Sequence, residues 1–191
     1  MNKIIGILGM QGAIVEHQAI LLQIPHTKTR IVKTAKDLDC IDGLILPCGE
    51  STAIGKLLDY FSLKEILRQK IISGLPVFGT CAGLILLAKN IENQTNTHLA
   101  TMDITVKRNG YGSQLDSFST NLLIPTIDKN MPIPLVFIRA PYITKTDKDV
   151  QILATLDNKI IAARQKNMLV SSFHPELTCD LRFHQYFLSM I

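Results

Sequence analysis

The feature that most constrains the fold is a turn of small residues around Cys81, placed between two apolar runs. The run at 75–78 is typical of a buried strand, and the run at 84–88 is typical of a helix. Glycines at 79 and 83 let the chain turn tightly and leave the sulfur accessible. A Gly-x-Cys-x-Gly turn between strand and helix is the layout of a nucleophile elbow, with cysteine in the position of serine. The segment therefore predicts a helix-covered sheet with Cys81 as a candidate nucleophile.

Strand and helix patterns alternate through the first half of the chain. Strands are predicted at 3–8, 30–33 and 42–47, and helices at 12–24, 51–61 and 63–72. The second half is richer in strands, predicted at 103–107, 121–124, 135–139, 150–156, 159–164 and 169–173, before a closing helix at 180–191. This order predicts an α/β fold, with a mainly parallel sheet covered on both faces.

The overall composition predicts one folded domain, residues 1–191. The chain is 47% apolar and 19% charged, as expected for a globular protein. Its formal net charge is +4, and the basic residues are spread along the sequence. We therefore expect neither nucleic acid nor a membrane surface as a partner.

The N-terminal sequence and the cysteine pattern predict the cellular location of the protein. Glycine interrupts the first apolar run too early for a secretory signal, and no run approaches the roughly 20 residues that cross a bilayer. The four cysteines, Cys40, Cys48, Cys81 and Cys179, form no CxxC pair and no metal-finger spacing. We expect a cytoplasmic protein with free thiols, without a metal or a cofactor.

A second motif, His174-Pro175-Glu176, lies far downstream of Cys81. Both motifs follow predicted strands, and ligands bind at the carboxyl ends of the strands in such sheets. Cys81 is suited to attack a carbonyl carbon as a thiolate and to form a thioester. His174 is then the candidate base, and Glu176 the residue that orients the imidazole. The alternative is a buried structural cysteine beside an unrelated histidine.

Two further segments fit the same chemistry. The backbone N–H of Ala82 is the natural first donor of an oxyanion hole, and Gly49 in the loop after 42–47 is the candidate second donor. Arg108 and Arg139 each end an apolar strand, and a guanidinium is suited to bind a carboxylate. Taken alone, each arginine is more typical of a structural or surface role than of a ligand-binding one.

Together these motifs resemble those of the class I, or triad, glutamine amidotransferases. A narrower similarity, to the glutaminase subunits of pyridoxal 5′-phosphate synthase, rests on five segments in order along the chain: 9–12, 46–52, 108–112, 137–141 and 172–177. The resemblance implies a three-layer αβα sandwich that hydrolyses L-glutamine to glutamate and ammonia. It also implies a separate (β/α)8 synthase subunit that receives the ammonia through a channel, in a complex of twelve copies of each subunit.

The resemblance also implies roles for individual residues. The triad falls on Cys81, His174 and Glu176, and Gln11 lies in a loop near the oxyanion site and the synthase contact. Glutamine binding falls on Gly49, Glu50, Ser51, Arg108, Ile138 and Arg139.

The chain departs from the family pattern at three positions. Cys48 stands where the family usually has glycine, which predicts an altered balance between resting and active states of the 48–49 peptide. Met10 replaces a leucine of similar volume, and we expect no effect. Ser113 stands where a basic residue is common.

Other functions remain open from the residues alone. A glutaminase subunit for another ammonia acceptor has the same triad. A cysteine peptidase or esterase-like hydrolase can be built on a similar sheet, and a regulator can keep the fold without the reaction. The two arginines and the Gly-Glu-Ser loop favour a free amino acid as the substrate.

Overall fold

The computed structural model describes residues 2–110 and 117–191. Tyr111, Gly112 and Ser113, named in the sequence motifs above, lie outside the described residues. The strands are β1 (Lys3–Leu8), β2 (Thr27–Val32), β3 (Gly43–Leu46), β4 (Val77–Thr80), β5 (Ala88–Ile91), β6 (Met102–Lys107), β7 (Ser117–Leu122), β8 (Ile133–Ile138), β9 (Tyr142–Thr146), β10 (Gln151–Leu156), β11 (Lys159–Gln165) and β12 (Met168–Ser171). The helices are α1 (Ile14–Leu21), α2 (Ser51–Tyr60), α3 (Lys64–Ile72), α4 (Ala82–Leu87) and α5 (Arg182–Leu188), with short 3₁₀ helices at Ala35–Cys40 and Pro175–Leu177.

Ten of these strands form one sheet, and β7 and β8 form a separate antiparallel pair. The order β2-β1-β3-β4-β12 is parallel throughout, and β11, β9 and β6 continue the sheet in antiparallel pairs. The predicted α/β fold with a parallel central sheet is therefore confirmed.

Two apolar cores lie on opposite faces of the sheet, because neighbouring strand residues point to opposite sides. In β3, Leu44 and Leu46 pack with α2, α3 and α4 in one cluster, whereas Ile45 belongs to the other. The second cluster holds Leu21 of α1 and Phe187 of α5. The arrangement is thus helix, sheet and helix, as the family resemblance implies.

The register of the parallel strands brings their carboxyl ends together. Ile7 of β1 pairs with Ile45 of β3, and Thr80 of β4 pairs with Ser171 of β12. Loops that follow these strands therefore leave the same edge of the sheet, and they carry residues 9–13, 47–50, 81 and 172–174.

The structure differs from the sequence predictions in several elements. It adds β5, β9 and the first 3₁₀ helix, which the sequence patterns did not predict. It shortens the helix predicted at 12–24 to Ile14–Leu21 and moves the strand predicted at 121–124 to Ser117–Leu122. Among the described residues, every helix is too short or too polar to cross a bilayer.

Candidate active site

Cys81 occupies a strained turn between β4 and α4. Its φ of 47° and ψ of −95° lie in a region that non-glycine residues rarely adopt. The two flanking glycines make the turn possible, because a Cβ on Gly79 would lie 2.6 Å from the backbone of Gly83, and one on Gly83 would lie 2.2 Å from the carbonyl oxygen of Leu46. Strain of this kind is typical of functional sites. The geometry is that of the nucleophile elbow.

The imidazole of His174 lies beside a different cysteine. Its Nε2 is 2.9 Å from the Sγ of Cys48, and its Nδ1 is 3.2 Å from the carbonyl oxygen of Val136 on β8. The Sγ atoms of Cys48 and Cys81 and a ring nitrogen of His174 all lie within 4.8 Å of one another. The structure therefore brings the predicted nucleophile and base together, with Cys48 as an additional member of the group.

The two thiols have opposite pKa shifts because they share one hydrogen bond. Donation from the Cys81 thiol lowers the pKa of Cys48 to about 5, with His174 and the backbone N–H of Ala82 assisting and burial opposing. The same hydrogen bond, with burial and the charge of Cys48, raises the pKa of Cys81 well above its ordinary value. Burial lowers the pKa of His174, but the hydrogen bond and charge of Cys48 raise it overall. The shared hydrogen bond therefore favours the thiolate on Cys48 over the thiolate on Cys81.

Glu176 is buried beside this group. Both carboxylate oxygens lack a hydrogen-bond partner among the described residues. Burial raises the pKa of Glu176 to about 8, although the charge of His174 acts in the opposite direction. The hydrogen bond that a triad predicts from His174 goes instead to Val136 in this structure.

His17 is a neighbour of Glu176 that the sequence analysis did not identify. It is fully buried on α1, with Nε2 located 3.7 Å from Glu176 and 3.2 Å from the hydroxyl of Thr80. Its Nδ1 is 3.0 Å from Nε2 of His184 on α5. His17 lies in the first turn of α1, which follows the first of the converging loops, and its spacing from the other site residues along the sequence does not indicate this contact.

The loop after β1 holds the loop after β3 in place. The carbonyl of Cys48 accepts a hydrogen bond from the N–H of Ala13 at 3.0 Å, and Oε1 of Gln11 accepts one from the N–H of Glu50 at 2.8 Å. A Cβ at Gly12 would lie 1.6 Å from the carbonyl oxygen of Cys48. This close approach requires glycine at position 12.

A cavity of about 330 Å³ opens above Cys81. It is lined by every residue assigned to glutamine binding, namely Gly49, Glu50, Ser51, Arg108, Ile138 and Arg139, together with Cys48 and Ala82. The hydroxyl of Ser51 is buried and has no hydrogen-bond partner in the described part of the chain. Such a group indicates that the cavity accepts a polar ligand.

Charged groups of both signs surround the cavity. Arg108 donates to Glu50 at 2.9 Å and to the hydroxyl of Thr52 at 3.1 Å. The carboxylate of Glu50 also accepts the N–H groups of Thr52 and Ala53, which caps α2. Arg139 has a φ of 47° and makes no hydrogen bond or ion pair within residues 2–110 and 117–191. Its guanidinium is available to a ligand.

The comparison with protein families decides the identity of the chain. The model of the SNO glutamine amidotransferase family matches residues 7–191. The chain belongs to this family. Among its curated members, the pyridoxal 5′-phosphate synthase subunit PdxT of Ruminiclostridium cellulolyticum is 53% identical over 189 residues, covering 99% of this chain and 100% of the relative. The protein of the same name from Carboxydothermus hydrogenoformans is 54% identical, covering 98% and 97%.

Solved structures agree with membership of this amidotransferase family. A crystal structure of a glutamine amidotransferase superposes with a TM-score of 0.89 at 38% identity, covering 97% of both chains. The structure of PurLQS from Thermotoga maritima gives a TM-score of 0.75 at 15% identity over 99% of both chains. The latter likeness concerns the fold alone.

Proposed function

We propose that this chain hydrolyses L-glutamine to L-glutamate and ammonia, and that it supplies the ammonia to a separate synthase subunit that makes pyridoxal 5′-phosphate. Membership of the amidotransferase family and the name shared by its close relatives support the proposal. The observation that carries it is Cys81 in a strained elbow, within 4.8 Å of a His174 nitrogen, facing a cavity with a free guanidinium.

Cys81 is the proposed nucleophile and His174 the proposed base. His174 takes the thiol proton, the sulfur attacks the side-chain amide carbon, and the proton passes to the departing ammonia. Water then hydrolyses the thioester and releases glutamate. Because Nε2 of His174 contacts Cys48 in this structure, the imidazole has to exchange Cys48 for Cys81 before the first step.

The backbone N–H groups of Ala82 and Gly49 are the proposed oxyanion hole. One such donor contributes roughly 3–4 kcal/mol of transition-state stabilisation. The carbonyl of Cys48 is bonded to Ala13 and the side chain of Gln11 to Glu50. A partner that contacts the loop of Gln11 therefore acts directly on the peptide that supplies the second donor.

Glu176 is the proposed third member of the triad. Its buried carboxylate has no hydrogen-bond partner among the described residues, so it is free to accept one from the imidazole. When His174 becomes cationic during the reaction, its charge lowers the pKa of Glu176 against the effect of burial, and the ionised carboxylate then stabilises the imidazolium. This contact requires the imidazole of His174 to exchange the carbonyl of Val136 for the carboxylate of Glu176.

Glutamine is proposed to bind in the cavity through its amino-acid group. The free guanidinium of Arg139 is suited to the substrate carboxylate. Glu50 is suited to the ammonium group, held by Arg108 at 2.9 Å. Ser51 presents an unpartnered hydroxyl, and Ile138 lines the cavity beside Arg139.

The proposed partner is a (β/α)8 synthase subunit in a complex of twelve copies of each chain, located in the cytoplasm. The relatives are named as subunits, which supports a partner in trans. Ammonia released into water is protonated and diluted, so a docked acceptor is needed for efficient transfer.

The test is glutamate release from L-glutamine, measured with and without a pyridoxal 5′-phosphate synthase partner. Expected results are low activity alone, a clear increase with the partner, loss in Cys81→Ala, and retention in the matched variant Cys179→Ala, whose cysteine is exposed. Activity that depends on Cys81 but ignores this partner would favour another ammonia acceptor. Absence of glutamate in both conditions would contradict the proposal.

A further inference from the structure

Three soft metal-ligating groups converge at the floor of the cavity from three separate loops. Cys48 follows β3, Cys81 follows β4 and His174 follows β12, and β3, β4 and β12 are adjacent in the sheet. Their two sulfurs and a ring nitrogen lie within 4.8 Å of one another. The proposed reaction uses Cys81 and His174 but gives no task to the sulfur of Cys48. Sequence spacing does not indicate this group, because Cys48, Cys81 and His174 come together only in the folded chain.

We propose that Cys48, Cys81 and His174 bind one Zn²⁺ ion. Cysteine sulfur and histidine nitrogen are the ligands that zinc prefers, and two cysteines with one histidine form a known site with an open fourth position. At zinc–sulfur distances of about 2.3 Å and zinc–nitrogen distances of about 2.0–2.1 Å, tetrahedral ligands lie roughly 3.5–3.8 Å apart. The observed separations, between 2.9 Å and 4.8 Å, require ligand shifts of about 1 Å or less from those ideal distances.

The surroundings orient these ligands. Nδ1 of His174 is 3.2 Å from the carbonyl oxygen of Val136. Because a carbonyl only accepts, this contact places the proton of the neutral imidazole on Nδ1 and leaves the Nε2 lone pair facing the thiols. The N–H of Cys81 donates to Ser171 at 2.8 Å, and the carbonyl of Cys48 accepts from Ala13 at 3.0 Å. Both cysteine backbones are thereby fixed.

Binding exchanges two protons for the ion, one from the Cys81 thiol and one shared by Cys48 and His174, with no oxidation or reduction. The protons pass to the buffer, and the two thiolates balance the charge of Zn²⁺. A water in the fourth position faces the cavity, which is also the route of entry. Coordination occupies the sulfur of Cys81 and Nε2 of His174 together, so zinc is a reversible inhibitor of glutamine hydrolysis. This inhibition rests on the proposed function, whereas the binding does not.

The experiment titrates the metal-free full chain with Zn²⁺, and with Co²⁺ as a spectroscopic probe of thiolate ligands. The wild-type chain is expected to bind one ion and to show a sulfur-to-cobalt charge-transfer band. Cys48→Ser keeps the size of the side chain and removes the sulfur, and it is expected to lose the band and at least about 100-fold in affinity. The matched variants Cys40→Ser and Cys179→Ser change exposed cysteines and are expected to bind as the wild type does. Circular dichroism before addition of metal verifies that each variant is folded.

Three results would overturn the site. These are a wild-type chain that binds no stoichiometric ion, a folded Cys48→Ser variant that binds equally well, or loss of the band in Cys40→Ser. Inhibition is measured separately, as glutamate release with Zn²⁺ and after a chelator is added. Stoichiometric binding without inhibition of an active enzyme would contradict the assignment of Cys81 as a ligand. A metal-free chain that never releases glutamate would instead count against the proposed function and leave the binding result unaffected.

Discussion

The imidazole of His174 is hydrogen-bonded to Cys48, with 2.9 Å between Nε2 and Sγ, although Cys81 is the cysteine at the strained elbow. A side chain at position 48, where the family resemblance implies glycine, therefore engages the base that the reaction needs. Nε2 of His174 contacts Cys48 in this structure, whereas the proposed reaction requires the same nitrogen to accept the proton of Cys81.

Cys48→Gly is expected to increase glutamine turnover in the presence of the synthase partner. The substitution removes the competing contact, and a typical hydrogen bond has a net value of about 1 kcal/mol, which corresponds to roughly a fivefold increase in rate. The assay compares kcat with a chelator present, so that bound metal has no part in the difference. Cys179→Gly, at an exposed position, is the matched control. Equal rates for Cys48→Gly and the wild type would contradict this role of Cys48.

Arg139→Gln is expected to weaken glutamine binding. The guanidinium is free in the described part of the chain, and a hydrogen bond to a charged group has a net value of about 1.5–3 kcal/mol. KM should rise about 10–100-fold while kcat changes little, because the contact is made equally in the ground state and the transition state. Steady-state kinetics measure both constants. Arg30→Gln, on the exposed surface of β2, should leave both unchanged, and an unchanged KM in Arg139→Gln would remove that residue from the substrate site.

Gly12→Ala is expected to destabilise the fold more than Gly74→Ala. Both glycines have positive φ, 114° and 109°, but a Cβ at Gly12 meets the carbonyl oxygen of Cys48 at 1.6 Å, whereas one at Gly74 meets nothing within 4 Å. A non-glycine residue at such a φ costs about 1–3 kcal/mol, and overpacking adds about 1–3 kcal/mol. Urea unfolding measures both variants. Equal losses of stability in the two variants would show that the loop of Gly12 can move away from the carbonyl of Cys48.

The stability of the wild-type chain is expected to fall as the pH decreases from 6.5 towards 3. Burial lowers the pKa of His184 to about 3, so in this window the unfolded chain binds a proton that the folded chain excludes. Each such histidine changes the free energy of unfolding by about 1.4 kcal/mol per pH unit. His17, which contacts His184, also has a pKa well below its ordinary value because of burial.

In the variant His184→Gln, the glutamine amide takes the place of Nε2 beside His17, and the titrating imidazole is removed. Its stability should depend less steeply on pH by about 1.4 kcal/mol per unit. Urea unfolding at several pH values between 7 and 4 gives the slope, and His26→Gln, at an exposed position, controls for the loss of an imidazole. A slope unchanged from the wild type would contradict the buried, neutral state of His184.

The fold class was predictable because its strands have clear signals. The strand predicted at 3–8 is β1 with the same bounds, since an apolar run ends there at a glycine turn. β5 was missed because Ala88 begins it directly after α4, without a turn residue. β9 was missed because Tyr142–Thr146 has no regular alternation of apolar and polar residues. Its extended conformation comes from antiparallel pairing with β6.

The candidate site was predictable only in part. Loop positions follow from strand order, so the convergence of Cys81 and His174 could be inferred. The direction of the Cys48 side chain and the burial of His17 against Glu176 depend on side-chain packing, which spacing along the sequence does not determine. Side-chain packing also explains why Nδ1 of His174 contacts Val136 and not Glu176 in this structure.

The most direct measurement of the central claim labels the enzyme with a glutamine analogue that carries an electrophilic diazoketone in place of the side-chain amide. Peptide mass spectrometry then identifies the modified sulfur. The account predicts one adduct on Cys81, prevented by excess L-glutamine, with Cys48 unmodified and no adduct in Cys81→Ala. An adduct on Cys48 in the wild-type chain, or equal labelling of Cys81→Ala, would contradict Cys81 as the nucleophile.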